Sequence, residues 1–438
     1  MGSGGAATPD GREGGVKLVG YDNFVRHNPK SDKFAIHKFH HIEFWCADAT
    51  NTYKRFQHGL GMTLVAKSDQ STANTLYASY VLQSGDLVFA FTAPYGKRTA
   101  VPGEGTPLPH YSLDGAYEFV NTHGLAVRAV GLLVDDARTA YEVSVAHGGR
   151  GVLPPLELTD PASGASQTVA EVALYGDVVL RYVSGGFSGP FLARYAPTPD
   201  SPRLSYGLVR VDHAVGNTPD LLQAVEYIMG FTGFHEFAEF VAEDVGTVDS
   251  GLNSMVLANN NEFVLMPINE PTFGTRRKSQ IQTYLEQNEG AGLQHLALIT
   301  HDIFDTMREM RARSDVGGFE FMPRPSDRYY RELPKKMGEA LTPQQYKDVE
   351  ELGILVDRDE QGVLLQLFTR PLGDRPTVFI EVIQRLGCER EVRGSEVKDR
   401  DSGAVVRIEQ AAGCGGFGKG NFSELFKSIE DYERTLNV

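Results

Sequence analysis

Two histidines and one glutamate, each inside an apolar stretch, are the residues of this sequence best suited to hold a metal ion. They are His213, His295 and Glu381. A carboxylate within a buried strand is costly unless something pairs with it. Two imidazoles and one carboxylate leave about three positions of a metal open, as in non-haem Fe(II) oxygenases. The same ligands also suit zinc, manganese or nickel, and a lone strand histidine is more often a hydrogen-bonded core residue.

The chain contains two similar halves, and comparing them shows which half carries all three residues. The first half predicts the element order β-α-β-β-α-β-α-β-β from Phe39 onward, and the second half repeats that order from Leu208. When the halves are aligned, His213 corresponds to His41. His295, however, corresponds to Ala129, and Glu381 corresponds to Arg181. The C-terminal half therefore looks able to bind a metal, whereas the N-terminal half does not.

Glu381 belongs to a predicted hairpin, and an insertion precedes that hairpin. The turn signal Pro371–Pro376 separates two apolar strands, the second running from Val378 to Ile383. The second half carries extra residues around 324–361, where Thr342 followed by Pro343 predicts the start of a helix. These features place Glu381 on the second strand of a buried hairpin.

The chain ends in a glycine-rich segment followed by an amphipathic pattern. Gly413, Gly415 and Gly418 match GxGxxG formally, but no βαβ unit can follow them, so we reject a dinucleotide site. We expect instead a glycine hinge and a helix capped by Asn421 or Ser423. Such a helix is either plain packing or a lid that keeps water from a pocket.

Four segments follow from these patterns. We predict a disordered leader (1–30), an N-terminal module without a metal (31–200), a C-terminal catalytic module (201–412) and a gating helix on a glycine hinge (413–438).

Composition excludes several classes of partner. The formal net charge of −15 over 438 residues disfavours nucleic acid and anionic membranes. No apolar run approaches the roughly 18 residues of a membrane span. The three cysteines form no CxxC pair, so we predict neither a zinc site nor a disulfide framework. A reducing compartment, the cytoplasm or else a plastid, fits best.

Polar and aromatic residues crowd the strands that carry the three ligands. Gln294 precedes His295, and Gln366 lies on the strand before Glu381. Buried amides need partners, so these residues either support the ligands and the backbone or bind a substrate. Together with Phe368 and Phe379 they would make a pocket for an aromatic ring with a polar end.

Seven stretches carry a resemblance to a known family. They are Phe39–Cys46, Asp212–Asn217, Phe231–Phe240, Ser250–Ala258, Gln294–Ala297, Phe368–Pro376 and Gly413–Phe422. They resemble the plant-type 4-hydroxyphenylpyruvate dioxygenase family, and the resemblance extends from about Phe24 to the C terminus.

The resemblance implies an α+β fold and a set of site residues. The fold would be two tandem, barrel-like vicinal-oxygen-chelate modules of βαβββ type plus a C-terminal amphipathic helix, which agrees with the duplication. His213, His295 and Glu381 would hold Fe(II), and the catalytic amides would be Gln280, Gln294 and Gln366. Substrate would be bound by Ser254, Asn269, Phe368, Phe379, Phe417, Asn421, Phe422, Leu425 and Phe426.

The same resemblance implies an activity. The enzyme would convert 4-hydroxyphenylpyruvate and O2 to homogentisate and CO2, through decarboxylation, ring hydroxylation and side-chain migration. This reaction serves tyrosine and phenylalanine catabolism and the synthesis of plastoquinone and tocopherol, and plant-type members are homodimers. Two alternatives stay open: a 4-hydroxymandelate synthase, with the same fold and metal, and a metal-free binding protein built from paired modules.

Overall fold

Two large mixed sheets, one from each half of the chain, form the framework of the computed structural model. The structure describes residues 15–98, 106–108, 110–245, 251–274, 276–393 and 406–436. The first sheet has nine strands in the order β6-β7-β8-β5-β1-β4-β3-β2-β9. Its strands are β1 (Ile36–Trp45), β2 (Thr63–Ser68), β3 (Tyr77–Ser84), β4 (Leu87–Pro94), β5 (Ala126–Val134), β6 (Gly151–Thr159), β7 (Ser166–Tyr175), β8 (Val178–Gly185) and β9 (Ala196–Pro197). Its helices are α1 (Ala49–Leu60), α2 (Leu113–His123) and α3 (Ala137–Ala146).

The second sheet has eight strands in the order β11-β12-β13-β10-β14-β17-β16-β15. Its strands are β10 (Leu208–Asn217), β11 (His235–Phe240), β12 (Leu252–Ala258), β13 (Leu265–Pro271), β14 (Gly292–Thr300), β15 (Leu355–Arg358), β16 (Gly362–Phe368) and β17 (Phe379–Gly387). A separate hairpin follows, β18 (Glu389–Arg393) with β19 (Val406–Gln410). The helices of this half are α4 (Leu221–Thr232), α5 (Ala242–Val245), α6 (Gln280–Gln287), α7 (Ile303–Arg311), α8 (Asp327–Met337), α9 (Pro343–Leu352) and α10 (Phe422–Leu436).

Strand registers confirm the alignment of the two halves. His41 on β1 pairs with Gly131 on β5, which in turn pairs with Arg181 on β8. In the second sheet His213 on β10 pairs with Ala297 on β14, which pairs with Glu381 on β17. The same pattern of parallel and antiparallel neighbours therefore places Arg181 where the second sheet has Glu381.

The predicted hairpin and the inserted helix are both confirmed. β16 and β17 pair antiparallel, with Phe368 opposite Glu381. Helix α9 begins after Thr342, whose side chain accepts a hydrogen bond from the Gln345 amide, and Pro343 is its first residue. The patterns did not predict seven strands. Of these, β6, β9, β11 and β15 lie at sheet edges, β2 lies beside the edge strand β9, and β18 and β19 form the separate hairpin.

The cysteines differ from expectation. Cys388 and Cys414 form a disulfide, whereas Cys46 is buried and free. The prediction of no disulfide was wrong because the two cysteines are 26 residues apart and meet only through tertiary packing. The bond joins the end of β17 to the glycine segment, so cysteine usage no longer favours a reducing compartment.

The glycine segment packs tightly against β16. Gly415 has a positive φ of 77°, and a Cβ there would lie 2.6 Å from the backbone carbon of Val363. At Gly418, also with a φ of 77°, a Cβ would lie 2.1 Å from Gln366 Oε1. The positive φ favours glycine at both positions. At Gly415 the neighbouring backbone also leaves no room for a Cβ, whereas at Gly418 a Cβ would displace the Gln366 amide.

The structure describes the predicted N-terminal leader from residue 15 onward. Residues 1–14 lie outside the described residues. From residue 15 on the leader runs along the second sheet, where the Tyr21 amide donates to Asp244 Oδ2 over 2.8 Å and the Tyr21 ring stacks on Phe240. This part of the predicted disordered leader is therefore docked. Among the helices that the structure describes, none combines the length and apolarity needed to cross a membrane.

Candidate active site

The three predicted metal ligands converge on one point. His213, His295 and Glu381 lie on the neighbouring strands β10, β14 and β17, and their ligand atoms lie within 4.8 Å of one another. Glu381 Oε2 is 3.2 Å from His213 Nε2 and 3.4 Å from His295 Nε2. Neighbouring strands at matching register place these side chains on one face of the sheet.

Hydrogen bonds on the far side of each imidazole favour metal binding. His213 Nδ1 lies 2.9 Å from Asp212 Oδ2, and His295 Nδ1 lies 2.9 Å from Gln294 Oε1. An acceptor at Nδ1 keeps the proton there and leaves Nε2 to act as a ligand. Two imidazole nitrogens and one carboxylate, directed at one point and supported from behind, fit a divalent metal with open positions.

Burial and pairing shift the pKa values of the three ligands. Burial alone would raise the pKa of Glu381, but hydrogen bonds from His213 and His295 lower it to about 2. Burial lowers the pKa of His295, even though Glu381 opposes this. Burial acts in the same direction on His213, yet hydrogen bonds to Asp212 and Glu381 raise its pKa. The carboxylate is thus held ionised, as a metal ligand requires.

The ligands lie in a cavity of about 630 Å³, counting the space open to solvent. Every residue predicted to bind substrate lines it: Ser254, Asn269, Gln280, Gln294, Gln366, Phe368, Phe379, Phe417, Asn421, Phe422, Leu425 and Phe426. The lining also includes apolar residues that the sequence did not point to: Val215, Phe240, Leu252, Val256, Pro267 and Ile429. A largely apolar cavity with a few polar groups is typical of a site for a small molecule.

One amide chain links Glu381 to the inserted helices. Gln366 Nε2 donates to Glu381 Oε1, and Asn421 Nδ2 donates to Gln366 Oε1, both over 2.8 Å. The Tyr329 hydroxyl on α8 donates to Asn421 Oδ1 over 2.9 Å. Asn421, which directly precedes α10 and is one of the two residues predicted to cap it, is therefore connected to both Gln366 and α8.

The aromatic side chains differ in how they meet the ligands. Phe379 stacks on His295, with ring centroids 4.8 Å apart. Phe368 and Phe379 are inclined at 70° with centroids 6.1 Å apart, so their faces do not lie parallel across a gap in this geometry. The rings of Phe417 and His213 meet in a T-shaped arrangement with their centroids 5.3 Å apart. This contact places the segment before α10 next to the candidate ligands.

Sequence patterns missed three residues that support the site. Asp212 pairs with His213, Arg385 pairs with Asp212, and Tyr329 completes the amide chain. Two signals were present. Asp212 directly precedes a ligand, and Arg385 falls on the same face of β17 as Glu381 because side chains alternate along a strand.

The equivalent place in the first sheet is filled by an ion-pair cluster. Arg181 forms salt bridges with Glu43 at 2.6 Å and Glu171 at 2.7 Å, and its Nη1 lies 3.1 Å from His41 Nε2. A guanidinium thus occupies the space where the second sheet gathers its ligands.

Comparisons with known proteins agree with this geometry. No family model matches the chain. A 4-hydroxyphenylpyruvate dioxygenase of Daucus carota is 60% identical over 426 residues, which cover 96% of this chain and 93% of the relative. The enzyme of the same name from Arabidopsis thaliana is 56% identical and covers 97% of this chain and 94% of the relative.

Solved structures agree in fold. A mutant of 4-hydroxymandelate synthase from Streptomyces coelicolor gives a TM-score of 0.70 at 21% identity, covering 91% of this chain and 99% of that one. A fusion of a xylose isomerase-like TIM barrel with 4-hydroxyphenylpyruvate dioxygenase gives 0.64 at 19% identity, covering 91% and 53%. These two structures support the paired vicinal-oxygen-chelate fold. Sequence identity above one half over nearly the full length of both chains goes further: the chain belongs to the 4-hydroxyphenylpyruvate dioxygenase family.

Proposed function

We propose that this chain converts 4-hydroxyphenylpyruvate and O2 to homogentisate and CO2, with Fe(II) held by His213, His295 and Glu381. The observation that carries the proposal is the convergence of these three donors inside a cavity lined by amides and aromatic rings. The family name gives the substrate and the use of O2, and the site supplies groups that suit both.

The metal would contribute the chemistry that no side chain provides. When bound, Fe(II) supplies open positions for a 2-oxo acid and O2, together with the redox chemistry that oxidative decarboxylation needs. No second 2-oxo acid is needed, because the substrate carries its own.

The side chains would bind and orient the rest of the substrate. Gln294 and Gln366 already hold His295 and Glu381 by hydrogen bonds. Gln280 is buried in the cavity and makes no side-chain hydrogen bond with the described residues. We therefore assign Gln280 to the polar end of the substrate, and Gln294 and Gln366 to holding ligands and substrate together. The edges and faces of Phe368 and Phe379 would contact its ring.

The chain from Gly413 onward would cover the site. Phe417, Phe422, Leu425 and Phe426 line the cavity from this segment. By closing over the substrate they would keep water from the oxidising centre, which protects reactive species from side reactions. This role assigns residues 413–438 to gating, residues 201–412 to catalysis and residues 31–200 to a module without metal.

The test is an anaerobic reconstitution with Fe(II), followed by 4-hydroxyphenylpyruvate and then O2, with products separated by chromatography. We expect homogentisate and one CO2 for each O2 consumed. Hydroxymandelate as the product would keep the metal site and overturn the assigned pocket chemistry. Absence of oxygen uptake would overturn the proposal and favour a binding protein built on the same modules.

A further inference from the structure

We propose that Arg385 is a positioning residue that couples the metal ligand His213 to the glycine hinge, residues 413–418. The inference deepens the proposed function, on which it rests only in that a divalent metal binds at His213, His295 and Glu381. Its evidence is a continuous set of buried contacts from the ligand to the hinge backbone.

The first part of that set joins Arg385 to the ligand. Arg385 Nη2 donates to Asp212 Oδ2 over 2.8 Å, and Nε donates to Oδ1 over 3.1 Å, so the pairing is bidentate. Asp212 Oδ2 also lies 2.9 Å from His213 Nδ1. Both charged side chains are almost completely buried, with 1% and 2% of their surface exposed. A buried ion pair tolerates little movement, because an unpaired charge at this depth is costly.

The second part joins the same guanidinium to the hinge. Arg385 Nη1 donates to the carbonyl oxygens of Cys414 over 2.6 Å and Gly416 over 2.7 Å. Its Cζ lies 5.6 Å from the centre of the Phe417 ring, and that ring contacts His213. One planar group thus contacts the carboxylate behind a metal ligand on one side and two hinge carbonyls on the other.

The planar shape of the guanidinium explains why Arg385 couples His213 to the glycine hinge. A guanidinium presents donors in a fixed plane, so moving the hinge carbonyls tilts the same plane that holds Asp212. Asp212 in turn fixes the orientation of the His213 imidazole, as partners behind metal-bound histidines generally do. Coupling of this kind acts in both directions, so metal binding must also stabilise the hinge.

The test measures metal affinity and hinge mobility in the full-length protein without substrate. Co(II) titration gives the affinity, and hydrogen exchange of peptides covering 411–420 gives the mobility. In the unmodified chain we expect Co(II) to slow exchange at the hinge. In Arg385→Lys, which keeps the charge but loses the planar fork, we expect metal binding to weaken by about tenfold to a hundredfold. We also expect hinge exchange to rise and its response to Co(II) to disappear.

Arg375→Lys is the matched control. Arg375 also donates to main-chain carbonyls, those of Asn121, Thr122 and Gln287, but it lies on the loop between β16 and β17. We expect this variant to keep its Co(II) affinity and its response at the hinge. If Arg385→Lys does not fold, judged by circular dichroism, the double variant Asp212→Asn with Arg385→Gln removes both charges together and tests the same link.

Two results would overturn the inference. One is faster hinge exchange in Arg385→Lys with an unchanged Co(II) affinity, which would make Arg385 a holder of the hinge alone. The other is an unmodified chain whose hinge exchange does not respond to Co(II). Neither measurement uses substrate. Failure to form homogentisate would therefore contradict the proposed reaction but would leave the inference about Arg385 unaffected.

Discussion

Glu381 is the residue on which the candidate metal site most directly depends. It is buried between two imidazoles and also accepts a hydrogen bond from Gln366. Because its pKa is lowered to about 2, it stays ionised throughout the neutral range and brings the only negative charge among the three ligands.

Replacing Glu381 by alanine removes the carboxylate and should abolish metal retention. In Glu381→Ala two neutral imidazoles would have to hold the metal alone, so we expect iron content after desalting and oxygen uptake both to fall to background. Glu381→Gln keeps the shape and one oxygen donor, and we expect it to retain part of the iron. Atomic absorption and an oxygen electrode measure the two quantities. Normal iron content in Glu381→Ala would refute the three-ligand site.

The candidate ligands could be predicted from the sequence, and Gln294 and Gln366 were named as possible supports for them, whereas the other supports could not be predicted. A duplicated pattern singles out His213, His295 and Glu381, because one half has them and the other does not. Asp212 and Arg385 are 173 residues apart, and no local pattern relates residues that meet only across packed strands. The contact between Tyr329 and Asn421, 92 residues apart, was missed for the same reason, although Asn421 itself was named.

At the scale of single elements, helix α10 carries a carboxyl group whose ionisation depends on whether the helix is docked. Phe426 and Ile429 bury its apolar face, while Glu433 near its end is half-buried. Burial raises the pKa of Glu433 to about 7, Glu430 adds to the rise, and Lys278 and Arg277 oppose it. The docked helix therefore favours the protonated carboxyl group.

This shift gives helix docking a pH dependence of defined sign. A carboxyl group whose pKa is raised on docking contributes most stability below its ordinary value, here 4.5, and loses it as pH rises through about 7. We expect amides of residues 422–436 to exchange faster at pH 8 than at pH 6, after correction for the intrinsic rate. Glu433→Gln cannot ionise and should show no such difference. An equal pH response in both proteins would trace the effect to another group.

Local sequence patterns predicted helices and strands better than they predicted the disulfide. Spacing of apolar residues identified α10, and Thr342 with Pro343 marked the start of α9, because both signals lie within one or two turns of chain. The bond between Cys388 and Cys414 depends on β17 and the glycine segment both packing on β16, and no short spacing records that.

Across the whole molecule, the two modules are joined as well as repeated. The main hydrophobic core takes residues from both sheets, among them Phe44, Leu180, Leu296 and Ile380. The Asp86 amide donates to the Val209 carbonyl over 2.7 Å, and Arg375 donates to carbonyls on both sides of the boundary. The first module therefore supports the second directly, although it lacks its ligands.

The asymmetry between the modules predicts one metal ion for each chain. In the first module Ala129 stands in the place of His295, and Arg181 stands in the place of Glu381. Arg181 also brings a positive charge to His41, and burial together with nearby cations lowers the pKa of that imidazole well below its usual range. A second cation would face this guanidinium, and among the described residues no group of three candidate ligands gathers around His41.

Titration of the metal-free chain with Co(II), followed by the visible absorption of the bound ion, measures the stoichiometry. We expect one equivalent for the unmodified chain and one for His41→Ala, because His41 belongs to no group of three candidate ligands in the part of the chain that the structure describes. His213→Ala is the counterpart in the second module and should lose tight binding. Two equivalents, or loss of the metal in His41→Ala, would show that the first module still takes part in metal binding. One equivalent in the unmodified chain and in His41→Ala would instead mean that the first module keeps the duplicated fold to support the second module. Its positions equivalent to the ligands now hold a buried ion-pair cluster.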